Sequence, residues 1–360
     1  MIDLRSDTVT RPVAGMFAAM FNASVGDDVY GDDPSVNELE QYASYLCQTE
    51  AALFVPSGTQ SNLLALLTHC KRGDEFITGF DSHTFKYEGG GAASLGGIHT
   101  HTVRVKDDGC LDLQEVEQSI KRDDFHFART RLLTLENSYH GRVLPLSYLE
   151  KVRQLCKQYG LALHLDGARI FNSAVKLNVP VSSICTYFDS VSVCLSKGLG
   201  APVGSLLCGS ADFIDEARRW RKVTGGGMRQ AGYMAAAGLY ALKSMVERLD
   251  DDHANALKLD VLLQGCSAYK VRSSWTQTNM VWVDFKEKQN LDFINHAKKN
   301  GLLLSLTANG TACRMILHHD VTELDVTHAA EVFRSFFESQ SFESQSSELD
   351  NELGTISSYQ

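Results

Sequence analysis

A chain of 360 residues is long enough for two or three folding units, and 44% hydrophobic and 22% charged residues with only 6 prolines make an ordinary globular composition, not a disordered, collagen-like or disulfide-scaffold one. Thirty-four Lys and Arg against 44 Asp and Glu leave a net charge of −10, which disfavours nucleic acid and anionic membrane as partners and points to small-molecule chemistry. Nine cysteines without a C-x-x-C pair give neither a disulfide framework nor a zinc-ribbon spacing, and no run of about 18 apolar residues or secretory h-region occurs. The expectation is a cytoplasmic protein with no metal site and no membrane span.

In chain order, residues 1–40 read as an N-terminal arm. It ends in the turn-rich acidic stretch Gly26 to Pro34, ahead of a helix starting near Pro34 or Ser35. Ala51 to Val55 is a short apolar strand broken by Pro56-Ser57-Gly58-Thr59, and Gln60 to His69 carries leucines at helical spacing. The rhythm returns in strands at Arg131 to Leu135, Leu161 to Leu165 and Ser190 to Leu195, with helices at Leu146 to Tyr159 and about Gln230 to Lys243. Near-continuous apolar runs of this kind suit parallel strands covered on both faces. The fold class is therefore α/β, a mostly parallel central sheet with helices on both faces, over 41–248. A smaller C-terminal α/β domain follows over 249–337, with strands at Met280 to Phe285, Leu302 to Ser305 and Cys313 to Leu317. The polar duplication Phe337 to Ser346 belongs to a tail, 338–360, expected to be disordered.

Open α/β sheets bind ligands at the carboxyl ends of their strands, so the residues there deserve the closest reading. Ser57-Gly58-Thr59 between a strand and a helix can cradle a phosphate on first-turn N–H groups, or simply cap the helix. Neither a P-loop nor a post-strand G-x-G-x-x-G is present, which weakens a nucleotide reading. Asp166 ends one strand with Arg169 three residues on, and Lys197 follows another in Ser196-Lys197-Gly198. Separately, these read as a salt-bridged pair and a surface lysine. Together, a phosphate cradle, a carboxylate and a lysine are the three anchors of a pyridoxal 5′-phosphate site: the lysine binds the cofactor, the carboxylate pairs with the pyridinium nitrogen and the cradle takes the phosphate.

Five blocks, Ile2 to Thr10, Gly26 to Gly31, Ser57 to Asn62, His164 to Arg169 and Ser196 to Gly204, resemble in order the signature blocks of the low-specificity L-threonine aldolases, fold-type-I enzymes of the aspartate aminotransferase superfamily. The resemblance covers about residues 1–335. It implies a homotetramer with active sites shared between subunits, and cleavage of L-threonine or L-allo-threonine to glycine and acetaldehyde. By position, Lys197 matches the cofactor-binding lysine, Asp166 the pyridine partner, and Gly58 and Thr59 the phosphate loop. Arg169 lies close to the ring oxygen or the substrate carboxylate, and Ser6 and Arg314 match carboxylate-binding positions. His83 matches the histidine stacked on the ring and a candidate base, and His126 a second active-site histidine. Lys222 and Arg229 flank the glycine-rich loop presented to a neighbouring subunit's cofactor phosphate. The family frequently has threonine where this chain has Ala201. The alternatives are a related enzyme of the same fold, such as a phenylserine aldolase or β-eliminating lyase, and a catalytically silent scaffold that kept the fold.

Overall fold

The computed structural model describes residues 1–289 and 291–338, and the expected tail lies, apart from Glu338, outside them. The chain divides into two compact units: Thr10–Asp251, and Met1–Val9 together with the chain from Asp252 onward. The expected boundary at 248/249 thus sits beside an observed one at 251/252. The expected arm is split, because strand β1 (Ile2–Asp3) belongs with the C-terminal elements.

The larger unit is built on seven strands: β2 (Ala51–Val55), β3 (Glu75–Gly79), β4 (His99–Val103), β5 (Thr130–Glu136), β6 (Ala162–Gly167), β7 (Ser190–Cys194) and β8 (Ser205–Gly209), in the order β2-β8-β7-β6-β5-β3-β4. All neighbours from β7 to β4 are parallel, while β8 runs antiparallel to both β7 and β2. Strands β3, β7 and β8 are buried along their whole length, as expected of a sheet with both faces covered.

Helices α1 (Ala14–Phe21), α2 (Pro34–Cys47), α3 (Gly58–His69) and α4 (His83–Lys86) belong to this unit. Local chemistry fixes their starts. Asp33 caps α2 by accepting from the Ser35 and Val36 N–H groups, both at 3.1 Å, with Pro34 inside the first turn. Ser57 caps α3 by accepting from the Gln60 N–H at 3.2 Å. Since β2 and β7 both run antiparallel to β8, the ends of β2, β3, β5, β6 and β7 share one edge of the sheet.

In the smaller unit β1 pairs with β11 (Leu302–Leu303), while β9 (Tyr269–Val271), β10 (Met280–Phe285), β12 (Ser305–Leu306) and β13 (Ala312–Ile316) form an antiparallel sheet ordered β12-β13-β10-β9. Helices over Leu291–Lys299 and 323–338 accompany it. Its core is aromatic: Phe293 lies 5.1 Å from both Phe333 and Phe336 and 5.5 Å from Phe285, centroid to centroid. Among the described residues no helix is long and apolar enough to cross a membrane.

Candidate active site

Parallel register brings the strand-end acids together. Glu136 on β5 faces Asp166 on β6, and Asp166 faces Ser192 on β7, three residues before whose end-loop lysine, Lys197, the strand stops at Cys194. Asp166 is 3% exposed and both its oxygens are held: Oδ1 accepts from the Ala168 N–H at 3.1 Å, and Oδ2 from Asn62 Nδ2 of α3 at 2.9 Å. A side chain at Gly167 would strike the carbonyl of Ser192, so only glycine lets β6 turn here against β7. The carbonyl of Lys197 accepts from Thr10 Oγ1 at 3.0 Å and from the Gly200 N–H at 2.8 Å, which fixes the backbone that carries the ammonium group.

The opening residue of α4, His83, follows the end of β3 on the same edge. Its N–H donates to Glu136 Oε2 at 3.0 Å, and its Nδ1 lies 2.8 Å from Glu88 Oε1. Asn62 Nδ2 donates to that same Glu88 oxygen at 2.8 Å, so one amide spans two carboxylates. Ligand atoms of His83, Glu88 and Asp166 all lie within 4.8 Å of one another. The Glu88 hydrogen bond raises the His83 pKa above its ordinary 6.5. Burial raises that of Glu88, with the Asp166 charge adding to it. Burial, then Asp166, pushes Glu136 up to about 7. Three buried or half-buried acids thus crowd round one imidazole, with the Lys197 charge acting on both His83 and Glu136, and the crowding shows in the raised pKa values of Glu88 and Glu136.

The segment read as a phosphate cradle lies at the start of α3. The Gly58 and Thr59 N–H groups stand at the first two positions of α3, ahead of any carbonyl of their own helix that could accept from them. A Cβ on Gly58 would come within 3.5 Å of Ser205 Oγ, a buried hydroxyl with no protein partner. Free first-turn N–H groups, an orphaned hydroxyl, a strand-end lysine and a fixed carboxylate fit a phosphorylated pyridine. Arg169 stands just beyond Asp166, immediately before the helix Ile170–Leu177, and is half-buried. Ala201 is buried, its N–H donating to the Leu195 carbonyl at 3.0 Å.

Other expected residues stand elsewhere. His126 sits on an exposed loop, with Nδ1 2.7 Å from Asp124 Oδ1 and its ring 4.0 Å from that of Phe125. Among the described residues no hydrogen bond or ion pair joins His126 to His83, Asp166 or Lys197. Lys222 is exposed, and so is Arg229, whose guanidinium pairs with Asp27 of the same chain at 2.8 Å. Nearby, Arg221 and Asp28 form a buried ion pair at 2.7 Å, and Gln60 Nε2 donates to Thr224 Oγ1 at 3.1 Å, which anchors the Gly225 to Gly227 turn to α3. Ser6 and Arg314 belong to the smaller unit. There Ser6 Oγ accepts from Thr8 Oγ1 at 2.9 Å, and Arg314 lies on β13 opposite Trp282.

Three members of the cluster escaped the sequence reading. Glu136 closes β5 just as Asp166 closes β6, and that parallel was the available signal. Asn62 lies inside a helix, where asparagine is a poor helix former and hints at a polar duty. Glu88 follows a short turn, and no periodicity marks it.

Residues 3–286 match a family model described as beta-eliminating lyase, so fold and site together define a lyase of that class. The chain is 48% identical over 336 residues to the low specificity L-threonine aldolase of Escherichia coli K12, covering 93% of this chain and 99% of that one. It is 42% identical over 342 residues to low-specificity L-threonine aldolase 1 of Arabidopsis thaliana, covering 92% and 95%. The chain belongs to the family of low-specificity L-threonine aldolases. Its fold is shared by a solved threonine aldolase of Leishmania major at a TM-score of 0.80 and 18% identity, over 94% of this chain and 100% of that one. Membership favours the aldolase reading over a β-eliminating lyase, and implies an enzyme that depends on pyridoxal phosphate.

Proposed function

We propose that this protein cleaves L-threonine and L-allo-threonine to glycine and acetaldehyde by a retro-aldol reaction, with pyridoxal 5′-phosphate held at the carboxyl edge of the β2 to β8 sheet. The observation that carries the reading is the crowd of acids around Asp166, which awaits a cation such as a protonated pyridine nitrogen. When bound, the cofactor supplies an electron sink for the pair released from the Cα–Cβ bond.

The chain's own residues do the rest. Lys197 would hold the cofactor covalently through its Nζ. Asp166 keeps the ring nitrogen protonated, and the Gly58 and Thr59 N–H groups take the phosphate. His83 would stand over the ring and accept the β-hydroxyl proton. With Glu88 ionised and accepting from Nδ1–H, Nε2 of His83 keeps the lone pair, so Glu88 sets which end of the imidazole acts as base. Arg314, Arg169 and Ser6 bind the substrate carboxylate, the arginine fork giving a planar match that lysine lacks.

The exposed Lys222 and Arg229 reach the cofactor phosphate of a neighbouring copy in a homotetramer. In that arrangement, mixing Lys197→Ala with Arg229→Ala subunits restores part of the activity, and exchange without recovery would argue for self-contained sites. The activity itself is tested by acetaldehyde release from both threonine diastereomers. Release from neither, by protein loaded with cofactor, would overturn the assignment.

A further inference from the structure

The face of β6 and β7 that packs against α3 is polar, where a covered parallel sheet ordinarily packs aliphatic side chains. Alternation along the strands puts His164 beside Asp166 and Ser190 beside Ser192 on that face, and α3 meets them with Ser61, Asn62 and His69. His164, Ser190 and Asn62 are 0%, 1% and 2% exposed. Burying so many polar groups costs stability unless each finds a partner, and these do. His69 Nε2 lies 2.7 Å from Ser190 Oγ, Ser190 Oγ lies 2.8 Å from His164 Nδ1, and His164 Nε2 lies 3.2 Å from Asn62 Oδ1. Asn62 Nδ2 then donates to Asp166 Oδ2.

Every donor in this chain points the same way. Burial depresses the His164 pKa to about 3 and the His69 pKa to about 4, so both rings are neutral and each carries one proton. Asn62 must turn its NH2 towards the two carboxylates, which leaves Oδ1 as an acceptor. His164 therefore carries its proton on Nε2 and accepts from the Ser190 hydroxyl at Nδ1, and Ser190 in turn accepts from His69 Nε2–H. The dipoles add head to tail, ending on the Asp166 carboxylate.

We propose that Asn62 and His164 are positioning residues for the reaction, fixing the orientation of the Asp166 carboxylate towards the cofactor nitrogen through this one-directional relay from His69. The inference rests on the reading that Asp166 faces the pyridine nitrogen. Asn62 is the junction, because losing it frees both Asp166 Oδ2 and Glu88 Oε1. His164 acts through Asn62 and touches neither substrate nor cofactor.

Two readouts besides turnover test the relay: the affinity of the apoprotein for pyridoxal phosphate, and the pH at which the bound cofactor's absorbance changes. Asn62→Ala and His164→Phe should each weaken cofactor binding or kcat by about 10–100-fold, the usual scale for outer-shell partners of a bound group, and shift that pH. His164→Gln, which keeps an N–H near the Nε2 position, should recover most of the loss. Asp166→Ala separates the two levels. If it leaves affinity and absorbance unchanged, the site reading fails and the relay with it; if it changes both while Asn62→Ala and His164→Phe stay within about twofold of the unsubstituted protein, the relay alone is overturned. Nitrogen-15 NMR of the unsubstituted protein gives a test free of folding artefacts: neutral His164 and His69 protonated on Nε2 are expected, and an imidazolium or an Nδ1–H tautomer at His164 overturns the proposal.

Discussion

The two edges of the central sheet both bury carboxylates, and they do so on opposite terms. At the amino edge, Glu75 opens β3 with no exposed surface. It is met by Lys121, by His99 Nδ1 at 2.8 Å and by Thr130 Oγ1 at 3.1 Å, so one acid has two basic neighbours and a hydroxyl. At the carboxyl edge, Glu88, Glu136 and Asp166 share His83, an uncharged amide and the charge of Lys197. The first arrangement is complete in itself and its work is structural. In the second, strand register crowds carboxyls until burial and the Asp166 charge raise the pKa values of Glu88 and Glu136, and the proposed function sets a protonated pyridine nitrogen against Asp166. Buried charge alone does not mark a site; carboxyls crowded at strand ends until their pKa values shift make a candidate for one.

The sharpest break in this contrast comes from Lys197→Ala, which removes the proposed cofactor lysine and should lower aldol cleavage by more than about 10³-fold in a steady-state assay. His83→Asn comes next. As the main base it should cost about 10²–10⁴-fold while cofactor absorbance persists. The sign of the pH effect follows from its hydrogen bond to Glu88. A pKa raised above 6.5 means that the neutral, proton-accepting form is lost as pH falls through that raised value, so activity should fade on the acid side above pH 6.5 and that limb should vanish in His83→Asn. His126→Asn, on its exposed loop, should cost less, and the double substitution should show losses that add unless both histidines serve one relay.

At the other edge, Glu75→Gln should reverse the pattern. Turnover should stay near normal, while the urea midpoint falls by the equivalent of about 1–3 kcal/mol, because Lys121 and His99 lose their shared acceptor. The smallest effect belongs to Glu136→Gln. With a folded pKa raised from 4.5 to about 7, the native state holds more protons than the unfolded chain across that interval, so stability falls as pH rises from 4.5 to 7. Glu136→Gln should flatten that slope in apoprotein melting curves, and an unchanged slope would mean that Glu136 is ionised throughout.

Much of this was written in local chemistry. The runs at Ala51 to Val55 and Ser190 to Leu195 are nearly wholly buried, so their composition marks them as covered strands, but only the second lies parallel to a neighbour: β2 pairs with β8 alone and antiparallel to it, which composition does not tell. Asp166 and Lys197 gain meaning by standing at the ends of such strands. Strand β4, His-Thr-His-Thr-Val, is an edge strand with polar, partly exposed side chains and carries no apolar signature. Strand β8 was hidden by its direction, since nothing local tells that it returns antiparallel between β2 and β7. Glu88 and Asn62 needed the third dimension: they stand 26 residues apart and meet at 2.8 Å because α4, just ahead of Glu88, packs against α3. His126 shows the opposite case, where the resemblance assigns a role and the fold of a single chain leaves the residue out on a loop.

The central claim is that the acid-crowded edge holds pyridoxal phosphate on Lys197. Borohydride reduction of the cofactor-loaded protein followed by peptide mapping tests it most directly. A single pyridoxyl adduct on Lys197 is expected; an adduct on Lys222 or Lys176, or none at all, would rule out attachment at Lys197.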